Sequence, residues 1–193
     1  LPTNIASLIL SDWVGIQGTV RADSAFCSSF TRANFHDLLN SHECVLKAER
    51  SVKNTDSLVD WAILRHCWME SLVVSENSVF QSYEKYLSKF GPYVANVRLI
   101  SLTTNIEHKI LAFSTCCNHI TRLHLRRCRL ESSLVEFFEA AQSLRELRID
   151  FHAALTYLSA SQLSTISCPN MRSLWLEWCT DGSLLSAFIT VAS

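Results

Sequence analysis

Cysteines and histidines are the residues of this chain with the widest chemical repertoire, since they bind metals and act as nucleophiles and bases. No two of the eight cysteines have the CxxC spacing, and no cysteine–histidine group has the spacing of a zinc site. Most lie within apolar patterns, where a thiol packs as a small hydrophobic group. We therefore predict reduced structural cysteines and no bound metal. A disulfide framework and a redox-reactive Cys116–Cys117 pair are the alternatives.

Catalytic motifs are the next chemistry to consider. The seven histidines fall in neither HExxH nor GxSxG patterns, which mark two hydrolytic centres. The four glycines, Gly15, Gly18, Gly91 and Gly182, are scattered, whereas loops that bind phosphate or dinucleotides need clustered glycines. We predict a protein without enzymatic activity or cofactor. A cysteine–histidine pair that forms only in the folded chain is the alternative.

A basic run, Arg126-Arg127-Cys128-Arg129, invites comparison with nucleic-acid-binding proteins. The whole chain has 17 basic and 18 acidic residues, a net charge of −1, so bulk charge does not favour a polyanion as partner. Hydrophobic residues make up 48% of the 193 residues and charged residues 18%, which predicts a folded domain with a sizeable core. No apolar run is long enough to span a membrane. We expect neither nucleic acid nor membrane as a partner.

The elements that position these residues follow an internal repeat of the pattern LxxLxL. Its five copies begin 25, 26, 24 and 27 residues apart, at Met69, Val94, Ile120, Leu144 and Met171. Cys128 and Cys179 continue the third and fifth copies as LxxLxLxxC. Between and after the copies, helical apolar spacing predicts helices within 80–90, 131–142, 152–166 and 183–192. The repeating unit is therefore strand, turn and helix.

This pattern resembles the leucine-rich-repeat family, in its cysteine-containing subclass, over residues 69–193. The resemblance implies an α/β fold, a short horseshoe-shaped solenoid with parallel strands on the concave face and helices on the convex face. Because strand side chains alternate, the leucines should face the core and the residues between them the solvent. We expect further repeats beyond Ser193.

The solvent-facing residues form columns across the strands. Their central column contains Arg98, His124, Arg148 and Trp175, and arginine and tryptophan are frequent at binding hot spots. We predict a protein-binding surface on the concave face; its residues are Arg98, Arg122, His124, Arg126, Arg148, Trp175 and Glu177. The alternative is that the charges only form cross-strand ion pairs, Arg122 with Glu146 and Arg126 with Asp150.

The first 42 residues lack the repeat and predict three helices, over 1–14, 20–30 and 31–39, and apolar spacing predicts a further helix over 57–68. Residues 1–42 resemble an F-box, through Leu1-Pro2, the apolar residues Ile5, Ile9, Leu10 and Trp13, and the segment 26–30 with Cys27 three residues before Phe30. Two serines, Ser28 and Ser29, stand where the family has basic residues, and Phe30 stands for its usual tryptophan. A plain helical cap on the solenoid is the alternative.

These resemblances imply an organisation into residues 1–42 as an F-box-like module, 43–68 as a linker and capping helix, and 69–193 as repeats. The implied function is substrate recognition in an SCF-type (cullin–RING) ubiquitin ligase, in the cytoplasm or nucleus. Leu1, Pro2, Ile5 and Ile9 would bind a Skp-type adaptor, and the concave face a protein substrate. We expect a monomer outside that complex. The alternative function is a leucine-rich-repeat scaffold or regulatory binding protein without a ubiquitin role.

Overall fold

The computed structural model describes residues 2–26, 29–41, 44–47, 55–103, 106–128, 133–150 and 168–177. It has an α/β architecture, with a five-stranded parallel sheet flanked by helices. Its helices are α1 (Thr3–Leu8), a π-helix (Ile9–Val14), α2 (Gly15–Ala25), α3 (Ser29–Leu39), α4 (Thr55–Arg65), α5 (Phe80–Phe90), a 3₁₀ turn (Gly91–Tyr93), α6 (Ile106–Cys116) and α7 (Ser133–Ala140). Its strands are β1 (Val45–Leu46), β2 (Trp68–Met69), β3 (Ser71–Ser75), β4 (Asn96–Ile100), β5 (Arg122–Arg126), β6 (Glu146–Asp150) and β7 (Ser173–Glu177).

The five-stranded sheet follows the chain: β3 to β7 lie side by side in sequence order, all parallel. Their register aligns Val73, Arg98, His124, Arg148 and Trp175 across the sheet. This confirms the central column expected from the spacing of the repeat. The LxxLxL leucines of β3 to β6 are buried and the residues between them are partly or fully exposed, as strand alternation requires.

Helices α5, α6 and α7 cover the leucine face of the sheet. Tyr83, Leu87, Phe113, Phe137 and Phe138 are all buried there. The Tyr83 hydroxyl donates to the Val73 carbonyl at 2.9 Å, which ties α5 to β3. The spacing of apolar residues correctly predicted α5 and α7. It gave no prediction for α6, and the two helices expected within 152–166 and 183–192 lie outside the described residues.

A short parallel pair, β1 with β2, extends the backbone ladder ahead of the first sequence repeat. The amide of Glu70 donates to the Leu46 carbonyl, and the Glu70 carbonyl accepts from the amides of Ala95 and Asn96. The same hydrogen bonds recur one strand later, from Thr121 and Arg122 to the Ala95 carbonyl. Leu46 is therefore the equivalent, in the preceding strand, of Met69, the first residue of the first repeat copy. The residues that follow Leu46 do not continue the LxxLxL pattern.

The boundary of α4 differs from the sequence prediction, which placed a helix over 57–68. The helix ends at Arg65, and His66 adopts a left-handed backbone with φ of 54°. Because the backbone turns at His66, Trp68 lies in β2 and pairs with Val45 there. The pairing of Trp68 with a segment more than twenty residues away determines this end of the helix.

The N-terminal helices share one core with the sheet. The buried residues Leu10, Ile16, Phe35 and Leu39 belong to the same apolar cluster as Leu72 and the other sheet leucines. The second of the three expected helices begins earlier than predicted, at Gly15, and ends at Ala25, before Phe26. None of the helices in the described ranges is long and apolar enough to cross a membrane.

Candidate partner-binding surfaces

The polar face of the sheet forms a groove of about 580 Å³. Strands β3 to β6 and Glu177 of β7 line it, through the residues that stand between the buried leucines. Because β3 to β7 are parallel and in register, each column of these residues crosses the sheet as a straight row. The groove contains all of the residues predicted for the protein-binding surface except Trp175, which lies beside it on β7.

His124 stands at the centre of the groove, with arginine as its neighbour in four directions. Arg98 and Arg148 are its register partners on β4 and β6. Arg122 and Arg126 lie two residues before and after it on β5, and therefore on the same face. We call these five residues the basic cross.

The electrostatics at His124 reflect this arrangement. The ring is half-buried, and burial is the largest influence that lowers its pKa. Arg98, Arg148 and Arg126 lower the pKa of His124 further, while Asp150 raises it. Burial first, and the positive charge of the surrounding arginines second, thus favour the neutral form of the imidazole.

Carboxylates partly balance the basic cross. Arg122 lies 3.5 Å from Glu146 and Arg126 lies 3.6 Å from Asp150, measured between guanidinium nitrogen and carboxylate oxygen. Arg148 forms an ion pair with Glu177 on β7. The cross-strand pairs expected as the alternative to binding are thus present. The pairs of Arg122 and Arg148 are exposed on both sides and contribute little to stability, so they do not explain why four arginines converge on one histidine.

Trp175 is the aromatic end of the central column. Its side chain is 57% exposed. The indole N–H donates to the Ser173 hydroxyl at 2.7 Å, which fixes the ring against the polar face of β7. Its register partner is Arg148, so the exposed ring lies directly beside the basic cross. A large exposed ring next to fixed charges is typical of a binding hot spot.

A second surface lies on the first helical segment. Ile5, Leu8, Ile9 and Trp13 are exposed by 44%, 54%, 39% and 83%; together we call them the apolar patch. Pro2, at the start of α1, is exposed as well. Ser7 and Leu10 on the other side are buried. Of the residues predicted to bind an adaptor, Pro2, Ile5 and Ile9 are thus accessible and close in sequence, and Leu1 lies outside the described residues.

Asp23 connects α2 to α3 and α4. Its side chain is only 4% exposed and accepts hydrogen bonds from Trp61 Nε1 at 3.0 Å, Arg65 Nε at 2.8 Å and His36 Nε2 at 3.1 Å. Arg32 donates to its backbone carbonyl. Burial would raise the pKa of Asp23, but these donors outweigh it and lower the pKa to about 2. No motif in the sequence predicts this cluster, since its members come from three separate helices.

The cysteines among the described residues are free thiols that are buried or partly buried. No three histidine, cysteine or acidic side chains among the described residues could hold a metal ion. Burial raises the pKa of Cys44 to about 11, that of Cys117 to about 12 and that of Cys168 to about 11. Such thiols are protonated at neutral pH and are weak nucleophiles. Cys27 and Cys179 lie outside the described residues.

Comparison with known proteins returned no match: no protein-family model matches the chain, and no curated protein matches it significantly. The basic cross and the apolar patch are both partly or fully accessible at the surface of the described part of the chain.

Proposed function

We propose that this chain is a non-catalytic protein-binding adaptor, the substrate-recognition subunit of an SCF-type ubiquitin ligase. In this proposal the first 42 residues are an F-box-like module that binds a Skp-type adaptor through the apolar patch. Residues 69–193 are a leucine-rich-repeat solenoid whose concave face, the groove, holds a protein substrate. The observation that carries the proposal is the exposure of Ile5, Leu8, Ile9 and Trp13 along one side of a helical segment whose other side is buried.

The case for a solenoid is the regularity of the ladder. The strands lie side by side in chain order, and the same amide-to-carbonyl bonds link Leu46, Glu70, Ala95, Thr121, Arg145 and Arg172 in succession. Each strand–helix unit covers its neighbour, which is how repeat proteins bury their apolar faces. The hydrogen bond to Leu46 extends this ladder by one strand toward the N-terminal helices. In this proposal the helical module and the repeats therefore form one continuous body.

The apolar patch supports a partner more than a cap. Leu10 and Ile16 already cover the end of the core, and a cap needs nothing beyond that buried face. Four large apolar side chains left accessible within nine residues are a concentration that single scattered residues do not produce. Helical apolar surfaces of this kind bind partner helices or grooves in other proteins.

Calorimetry with a purified Skp-type adaptor tests the proposal. We expect submicromolar binding by the wild-type chain. Ile5→Asp with Ile9→Asp should weaken binding about 100-fold or more, because each change places a charge in the centre of a desolvated contact. Leu111→Asp is the matched control, since Leu111 is 55% exposed on α6, away from the patch.

The control variant should bind as the wild type does, and circular dichroism should show that all three proteins are folded. A folded wild-type chain that does not bind the adaptor would overturn the ligase proposal. It would favour the alternative, a repeat scaffold whose N-terminal helices only cap the core. The same conclusion would follow if Leu111→Asp weakened binding as much as the double variant.

A further inference from the structure

The groove has a chemical bias that the proposed function does not use. Four arginines line it against three carboxylates, and the four arginines all surround His124. The carboxylates, Glu146, Asp150 and Glu177, lie on β6 and β7. On the other side, the groove residues that β3 contributes are uncharged. Positive charge is therefore concentrated over β4 and β5.

We propose that the groove binds a phosphorylated serine or threonine in an extended segment of the partner protein. The phosphate lies over His124 between Arg98 and Arg148, and an apolar residue about three positions away packs on Trp175. This inference rests on the proposed role of the groove as the partner-binding face and names the chemistry that the face recognises.

A phosphate fits the basic cross better than a carboxylate does. Three of the arginines already contact carboxylates of the sheet itself. A glutamate from a partner would exchange one such pair for an equivalent one. A phosphoryl group carries nearly two negative charges and three acceptor oxygens, so it can accept from two guanidinium groups and the His124 ring at once. Arginine clusters are a recurrent means of recognising phosphorylated peptides.

The distance from the basic cross to Trp175 sets the spacing in the peptide. His124 and Trp175 lie in one column, on β5 and β7, two strands apart. Neighbouring strands are about 4.8 Å apart, so the two side chains are separated by roughly 10 Å across the sheet. An extended peptide rises about 3.3 Å per residue and covers that distance in about three residues. A peptide that follows the column thus places its phosphate and its apolar side chain three positions apart.

Fluorescence anisotropy with labelled nine-residue peptides tests the inference. The probe is an alanine-rich peptide with a central phosphoserine and a leucine three residues after it. Its companions carry the leucine three residues before the phosphoserine, carry serine or glutamate in place of phosphoserine, or lack the leucine. We expect one of the two leucine-containing phosphopeptides to bind about tenfold or more tightly than its serine and glutamate counterparts. Serine has no charge for the arginines to pair with, and glutamate has less negative charge and one acceptor oxygen fewer than a phosphoryl group.

Variants of the groove separate specific recognition from general charge attraction. Arg98→Gln and Arg148→Gln should each weaken phosphopeptide binding about tenfold. The matched control, Arg21→Gln, removes an exposed arginine of α2 and should have no effect. Glu177→Gln should strengthen binding, because it releases Arg148 from its ion pair and removes a like charge. Trp175→Ala should abolish the advantage of the leucine-containing peptide.

Equal affinity for the phosphorylated, glutamate and unmodified peptides would overturn the inference, as would the absence of any peptide binding. Loss of binding in Arg21→Gln equal to that in Arg98→Gln would overturn it too, since attraction would then be non-specific. Adaptor binding through the apolar patch is measured separately on the same proteins. If the chain binds the adaptor but has the same affinity for all of the peptides, the proposed function stands and only the inference of phosphate recognition is overturned.

Discussion

Asp23 is the residue whose surroundings say most about how the N-terminal helices are held. A carboxylate this deeply buried is costly unless donors surround it. Three side chains from α3 and α4 supply them, at distances of 2.8 to 3.1 Å. Since the donors come from residues 36, 61 and 65, neither the periodicity nor any motif around residue 23 predicts the cluster. It arises only when the helices pack together.

Replacing Asp23 by Asn should destabilise the chain by about 3 kcal/mol, because Arg65 would lose its buried counter-charge. Urea unfolding at pH 7, followed by circular dichroism, measures the effect. Asp12→Asn is the control: Asp12 also pairs with a cation, Lys47 at 2.6 Å, but on the surface, where little stability is lost. Equal stability of Asp23→Asn and the wild type would contradict the role assigned to the cluster.

The lowered pKa of Asp23 also predicts how stability depends on pH. A carboxyl group whose pKa is about 2 in the folded chain and ordinarily 3.8 stabilises the fold fully above pH 4 to 5. That contribution, about 2 kcal/mol, is lost as the pH falls through 2. The wild-type chain should therefore lose more stability than Asp23→Asn between pH 5 and pH 2. If the free energy of unfolding of the two proteins fell by the same amount over this pH range, the prediction of a lowered pKa for Asp23 would be wrong.

Among the elements, the strands were predictable and the helix boundaries less so. The alternation of apolar residues from β3 to β6 requires one register, since a slip of one residue would expose every leucine. Helix α6 does not follow such a simple rule: Lys109 is buried with its ammonium 5.8 Å from the Phe80 ring, while Leu111 is exposed. In the same way, Trp68 leaves α4 because of its partner Val45. Contacts between distant segments decide both cases.

Gly91 marks the closest approach between two elements, the end of α5 and the end of α6. A methyl group on its Cα would meet the backbone carbonyl of Cys116, which cannot move without displacing α6. Gly91→Ala should therefore lower the free energy of unfolding by about 1 to 3 kcal/mol. Gly18→Ala is the comparison, because a methyl group there meets only the Val14 side chain and helix propensity rises. Thermal unfolding should rank Gly18→Ala above Gly91→Ala, and the reverse order would refute this packing argument.

At the scale of the whole molecule, the charged and apolar surfaces are separate while the core beneath them is continuous. The basic cross lies on the sheet and the apolar patch on the first helical segment, yet Leu10 and Leu147 belong to one buried cluster. The position of the basic cross was predictable, because exposure follows from alternation on a strand. The apolar patch lies on a helical segment, and an accessible surface there was expected only from the resemblance to an F-box. The sequence did not predict that the core is shared, since the β1–β2 pair that bridges the two parts has no repeat motif in β1.

A continuous core predicts a single cooperative unfolding transition. Asp23→Asn in the N-terminal helices and Leu147→Ala in β6 should each shift the whole transition to a lower urea concentration. Leu147→Ala should lower the free energy of unfolding by about 2 to 5 kcal/mol, because it leaves a cavity. Tryptophan fluorescence and far-UV circular dichroism should then report the same midpoint for each protein. Leu111→Ala, an exposed leucine on α6, should leave the midpoint unchanged. If Asp23→Asn instead produced a separate early transition, the N-terminal helices would unfold independently. The ladder from Leu46 to Glu70 would then not couple them to the sheet.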